Sequence, residues 1–129
     1  MADQPIKRKR INSKKKGNAI ELQFANWLKE NLDPKARRGA SQGFGGSCRP
    51  DVETVLPIHF EVKGSEALNI YKAMDQSIRD CHPASIPVVV HKKNRTPFHV
   101  TLLLSDIFVF AALIDGKKRE FAELEKKTA

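Results

Sequence analysis

The run Ile58-His59-Phe60-Glu61-Val62-Lys63 constrains this chain more than any other stretch. Side chains on a strand alternate between its faces, so Phe60 and Val62 share one face and suit burial in a core. Glu61 and Lys63 then share the opposite face, a carboxylate and an ammonium side by side. Val52 to Leu56 is a second β-favouring run, set off by Pro57, and the two together predict an antiparallel hairpin whose second strand ends at Gly64.

The rest of the chain supplies layers for that hairpin to pack against. From Asn18 to Leu32, Ile20, Phe24, Trp27 and Leu28 recur at helical spacing, predicting an amphipathic helix that stops before Pro34 with Trp27 on its core-facing stripe. Lys35 to Arg49 carries Arg37, Arg38, Gly39, Gly43, Gly45 and Gly46 and reads as a mobile basic loop. Leu68, Tyr71, Met74 and Ile78 predict a second helix running to about Asp80. Two further strands, Ile86 to His91 and Phe98 to Leu104, flank the charged turn Lys92-Lys93-Asn94-Arg95-Thr96-Pro97. Ser105 is placed to cap a short last helix through Leu113, and Lys117 to Ala129 reads as a frayed, mixed-charge end. The order α-β-β-α-β-β-α, without internal repeats, predicts an α/β domain with a mixed sheet flanked by helices.

At 129 residues the chain is the size of one domain, large enough to bury a core without disulfide or metal staples. Two cysteines, Cys48 and Cys81, make no disulfide framework. The apparent lack of a secretory leader points to an intracellular, cytoplasmic protein. Val100 to Ile114, the most apolar stretch, is interrupted by Ser105 and Asp106 and is too short to span a bilayer, so no membrane association is expected. The net charge of +8 is unevenly spread. Residues 1–16 hold seven lysines and arginines, Lys14, Lys15 and Lys16 among them, against Asp3 alone, so six of the eight net charges lie there. A segment so poor in apolar residues is expected to be a flexible arm, suited to a phosphate backbone and equally to a solubilising role.

Chemistry concentrates at Arg49-Pro50-Asp51-Val52 and Phe60-Glu61-Val62-Lys63. Asp51 begins the partner strand of the hairpin, so its carboxylate can lie beside that of Glu61, and two clustered carboxylates repel unless a cation joins them. Mg²⁺ suits such a pair, because it takes one or two protein carboxylates and fills its remaining positions with water and phosphate oxygens. Lys63, on the Glu61 face, is placed to orient water or to stabilise charge on a phosphate under attack. The plainer alternative is that Asp51, Glu61 and Lys63 are ordinary solvated strand residues. His59, His91, His99 and Cys81-His82 show no paired metal-ligand spacing and are assigned no chemistry.

These motifs resemble the PD-(D/E)XK nuclease superfamily, and within it the small Holliday-junction-resolvase-like enzymes of archaea and phages. Pro50-Asp51 matches the PD element, and Glu61-Val62-Lys63 matches the (D/E)XK element. Lys16-Gly17-Asn18-Ala19-Ile20-Glu21 resembles the basic-Gly opening that leads the resolvases into a helix with an early glutamate. The resemblance covers roughly residues 14 to 104. It implies a restriction-endonuclease-like fold in which Asp51 and Glu61 are metal ligands, with Glu21, Asp51, Glu61 and Lys63 as the catalytic set. Arg38 and Ser41 sit where such members often place phosphate-contacting residues, and Lys14, Lys15, Lys16 and Arg37 extend that basic surface. Glu21 has a second reading, because Asn18-Ala19-Ile20-Glu21 also fits a helix capping box. Gln76 resembles a polar residue that some branches use near the site, but its favoured reading from sequence is a solvated helix-face side chain.

The expectation is therefore a basic arm (1–16), a single nuclease domain (17–114) and a mixed-charge tail (115–129), hydrolysing DNA with Mg²⁺, for which Mn²⁺ substitutes. The resemblance implies a homodimer acting on four-way junctions. A nickase or restriction-type nuclease on the same fold, or a non-catalytic basic DNA-binding module, are the alternatives.

Overall fold

The stripe that drives the first helix is Ile20, Phe24, Ala25, Leu28 and Leu32, all buried, and it turns one face of α1 (Ser13–Asn31) onto the sheet. The structure is a computed structural model that describes residues 13–39 and 49–128; Ser41 and the arm through residue 12 lie outside the described residues. α1 begins five residues before the expected start, so Lys14, Lys15 and Lys16 are its first turns and not part of an arm. Lysine is a good helix former, and Gly17, with open space around it, is tolerated there. Asn18 and Glu21 therefore lie inside the helix, and the capping box does not form. Trp27 is 54% exposed, not a core residue, because the stripe drifts from Ile20 toward Ala25 and Leu32 and leaves position 27 at its rim.

Five strands follow in one sheet of order β1-β2-β3-β4-β5: β1 (Arg37–Arg38), β2 (Val52–Glu53), β3 (Ile58–Lys63), β4 (Ile86–His91) and β5 (His99–Leu102). Neighbours are antiparallel except β3 and β4, which are parallel and joined across α2 (Ile70–Asp80), the kind of crossover a parallel pair requires. The hairpin of β2 and β3 pairs as expected, with Val52 opposite Phe60. The count exceeds expectation by one strand, because Arg37-Arg38, read from sequence as loop, pairs with Val52-Glu53.

β2 is shorter than the run Val52 to Leu56, and side chains explain why. The Val55 N–H donates to Asp33 Oδ2 (3.0 Å) and the Leu56 N–H to Thr54 Oγ1 (3.1 Å), so both leave the ladder. β5 likewise covers only His99–Leu102 of its expected span. α2 starts at Ile70, where Asn69 caps it by accepting the Lys72 N–H at 3.1 Å.

Strand alternation divides the core into two layers. Ile58, Phe60 and Val62 of β3, with Val88 and Val90 of β4, pack against the α1 stripe, where Phe24 meets Phe60 edge-on at 5.1 Å. Phe110, Leu113 and Ile114 of α3 (Ile107–Thr128) join that layer. On the other side of the sheet, Val89 packs with Ala73 and Met74 of α2. Ser105 lies in a single 3-10 turn (Leu104–Asp106) and caps nothing through its side chain. The tail expected to fray is instead the second half of α3. Ion pairs one turn apart, Asp115–Arg119, Lys117–Glu120 and Glu123–Lys126, support it, and no residue in it from 117 on breaks a helix. Among the described residues no helix is long and apolar enough to cross a membrane.

Asp33 ties the end of α1 to the hairpin. It is fully buried, and its two oxygens accept the N–H groups of Lys35 (3.0 Å) and Val55 (3.0 Å). Asp33→Ala strands the Val55 donor and is expected to lower the unfolding free energy by about 1–3 kcal/mol. Urea denaturation of both proteins measures it; equal midpoints would show that the latch carries no stability.

Candidate active site

The site is built on the hairpin, and its first determinant is an offset in the ladder. The register places Val52 opposite Phe60, yet the Asp51 N–H also donates to the Phe60 carbonyl at 2.9 Å. An offset of one residue, like that of a β-bulge, re-aims a side chain. Here it brings Asp51 Oδ2 to the Val62 N–H at 2.8 Å. The Gly39 N–H, coming from β1, holds the Asp51 carbonyl at 2.8 Å, and a Cβ at Gly39 would run into the Pro50 carbonyl oxygen. Glycine at 39 is therefore what lets β1 approach closely enough to fix the backbone of Asp51.

Glu61 reaches the same place from β3. It is 4% exposed and lies on the α2 side of the sheet, with Val89 of β4 as its register partner. The two carboxyls lie close enough to act on each other directly. Burial, the neighbouring Glu61 and the more distant Glu21 push Asp51 up to about 7, against the lowering effect of the Val62 N–H. Asp51 is thus only partly ionised at neutral pH, and a cation between the two carboxyls would relieve their repulsion.

Lys63, at the end of β3, is half-buried and donates to Gln76 Oε1 of α2 at 3.0 Å. Gln76 is therefore no solvated helix-face residue; it holds the ammonium. Among the described residues Lys63 makes no ion pair with Asp51 or Glu61. Lys63 and Lys16 line one open groove of about 470 Å³ together with Gly17, Val62, Gly64, Ser65 and Glu66, so the start of α1 and the end of β3 present cations to the same space.

Glu21 is bound to Arg38, whose Nε and Nη2 donate to Glu21 Oε2 at 3.2 and 3.1 Å while Nη2 also donates to Asn18 Oδ1 at 2.9 Å. Arg37, one residue earlier on β1, pairs with Glu53 Oε2 at 3.2 Å and keeps a mostly exposed side chain. Lys14 and Lys15 are exposed on the first turns of α1. The structure thus brings Asp51 and Glu61 together, with Lys63 two residues further along β3 and held toward α2 by Gln76. Glu21 stands close enough to act on Asp51 electrostatically, but its oxygen is engaged by Arg38.

His59, to which the sequence assigns no chemistry for want of a metal-ligand spacing, lies against the site. It is 2% exposed, and its Nε2 lies 2.8 Å from Glu61 Oε1. The available signal was its position two residues before Glu61 on the same strand face. Among the described residues no group of three or more His, Cys, Asp and Glu side chains is arranged to hold a metal ion. The donor set to be weighed for a cation is therefore the carboxyl pair. Two hard oxygen donors meet what Mg²⁺ asks of a protein, the remaining positions being filled by water and substrate oxygens.

The raised Asp51 pKa has a signature in stability. In the unfolded chain this carboxyl ionises near 3.8, in the folded chain at about 7, so folding takes up a proton between those values. The associated stability is fully present below about pH 4 and is lost as pH rises through 7. Asp51→Asn keeps an acceptor for the Val62 N–H and offers Glu61 an uncharged donor. Its advantage over the wild type is expected to open above pH 4 and level off above pH 7. Thermal melts at pH 4.5 and pH 8 measure it, and a difference between the proteins that does not change with pH would refute the coupled carboxyl pair. Compared with known proteins, the chain matches no family model, no curated protein and no solved structure.

Proposed function

We propose that this protein is a Mg²⁺-dependent DNA endonuclease of the PD-(D/E)XK kind, with a restriction-endonuclease-like core. The observation that carries the reading is the carboxyl pair. A backbone offset and a buried strand bring the Asp51 and Glu61 carboxyls together beside a lysine-lined groove, at a cost in like-charge repulsion that a structural role does not require.

In this reading Asp51 and Glu61 hold the ion. Mg²⁺, when bound, supplies Lewis-acid polarisation of a phosphate and acidification of water. Lys63, held by Gln76, orients the attacking water or stabilises charge growing on the phosphate, in line with the leaving oxygen. Lys16, with Lys14 and Lys15 on the preceding turn, draws the DNA backbone across the groove. Arg37 adds an exposed cation at the sheet edge, and Arg38 becomes a phosphate contact by exchanging Glu21 for DNA. A homodimer would bring two such sites to the opposing strands of a four-way junction, and contacts confined to phosphates would read the shape of the junction and not its sequence.

Asp51→Asn and Glu61→Gln are each expected to lower cleavage at least a thousandfold while leaving DNA binding within about threefold. Mn²⁺ is expected to replace Mg²⁺, and Ca²⁺, with its looser coordination, to support binding without cutting. Plasmid and synthetic-junction cleavage assays with both variants measure this. Full activity in EDTA, or in both variants, would remove the site, and DNA binding with no cleavage under any divalent ion would favour a non-catalytic DNA-binding module.

Junction DNA is expected to be preferred over linear duplex of equal length and cut in paired, opposing positions by a dimer. Competition binding at fixed salt, together with the mass of the complex, tests the substrate. Equal affinity for both forms, or a monomer that nicks one strand, would replace the junction reading with that of a nickase.

A further inference from the structure

The α2-side face of β3 has the wrong chemistry for its surroundings. Positions 58 to 62 are buried on both faces of the strand, and a strand buried on both faces ordinarily reads as a continuous apolar run. β4, its parallel neighbour, obeys that rule, with Pro87 and Val89 in register with His59 and Glu61. The layer against α2 therefore accommodates apolar side chains, yet β3 places an imidazole and a carboxylate there with their side chains 2% and 5% exposed. Apolar residues of similar volume at such a buried pair are often neutral or stabilising, so stability does not explain the choice.

The geometry of the pair suggests what does. A glutamate carboxylate rotates in a broad, roughly two-fold well about its last torsion, and a single held oxygen removes that freedom. His59 Nε2, as the N–H tautomer, donates to Glu61 Oε1 at 2.8 Å, which leaves Oε2 as the freer of the two oxygens. The Asp51 carboxylate is clamped in the corresponding way by the Val62 N–H at 2.8 Å. Each carboxylate is thus gripped at one oxygen by β3 itself, one by a side chain and one by the backbone. We infer that His59 is the positioning residue of the cation site, a buried imidazole that sets the orientation of the Glu61 carboxylate from behind. The inference rests on reading Asp51 and Glu61 as the ion-holding pair. Partners behind metal-holding groups commonly carry ten- to a hundredfold of metal affinity.

Glutamine and asparagine separate this role from a packing role, because a glutamine amide N–H can reach the position of Nε2 whereas the shorter asparagine cannot. Full-length wild type, His59→Gln, His59→Asn and His59→Leu would be titrated with Mn²⁺ alone by calorimetry. Cleavage would be followed against Mg²⁺ concentration, and DNA affinity measured in EDTA. His59→Leu and His59→Asn are expected to weaken Mn²⁺ binding and raise the half-saturating Mg²⁺ about ten- to a hundredfold, with DNA affinity in EDTA within about twofold of wild type. His59→Gln is expected to stay within about threefold on every readout. Should His59→Leu fail to fold, the Gln and Asn pair decides, since both keep a polar side chain of the same kind at 59. Equal metal dependence in those two variants, or in all variants and the wild type, would overturn the role of His59 while leaving the carboxyl site standing. Absence of saturable Mn²⁺ binding by the wild type would overturn the site and this inference together.

Discussion

The organisation of this protein depends on one hydrogen bond, from the Val62 N–H to Asp51 Oδ2. Antiparallel pairing of β2 with β3 is only two residues deep on the β2 side, and Pro50 precedes Asp51 in the chain, so the ladder has little backbone left with which to continue. The aspartate side chain takes over as acceptor at the point where β2 gives out. The same bond joins the end of a short hairpin to the central strand and fixes a carboxylate over the sheet. Val62 meanwhile keeps its own side chain in the α1 layer, so the core packs with Ile20 and Phe24 on one face while the polar site is assembled through the backbone and on the opposite face.

Two carboxyls brought together in this way repel, and the surrounding structure contains that repulsion locally. Arg38 takes up Glu21, the second acidic group acting on Asp51, and in doing so links β1 to α1 through Glu21 and Asn18. Arg37 points to the other face of the same two-residue strand and pairs with Glu53, its register partner. Adjacent arginines that look equivalent in sequence therefore do different work. One neutralises a charge beside the site, and the other sits at the exposed edge of the sheet.

Much of this was legible in the sequence where a period or a charged pair left a clear trace. Ile58–Lys63 and Ile86–His91 have the strand bounds expected, because each is a β-favouring run closed by a breaker or a charged turn. Hairpin pairing and alternation put Asp51 near Glu61, and the one-residue offset that aims the aspartate at the Val62 N–H left no trace in the sequence. What failed depended on contacts that apolar spacing does not report. Arg37-Arg38 has no strand character of its own and becomes one only because β2 lies beside it. Val52–Glu53 stops early because Asp33, about twenty residues upstream, captures the Val55 N–H. The continuation of α3 past Leu113 rests on ion pairs that a reading tuned to apolar spacing passes over. Trp27 looked like core because seven residues from Ile20 is nearly two helical turns, and only the packing shows that the stripe is centred elsewhere.

His59 and Gln76 extend the same lesson to the site. Each supports a neighbour that sequence already made conspicuous, His59 behind Glu61 and Gln76 against Lys63, and neither belongs to a motif with distinctive spacing. A sequence motif marks the groups that face a substrate, whereas the groups that hold them need only reach them in space, and that freedom weakens their pattern. Burial restores the signal once a fold is known. A polar side chain at 2% exposure, on a strand face whose parallel neighbour is apolar, cannot be a solvated residue, so its partner identifies its role. By that criterion the α2-side face of β3 is a polar seam laid through an apolar layer. Glu61 is its centre because, among the described residues, it both bonds His59 and acts on Asp51.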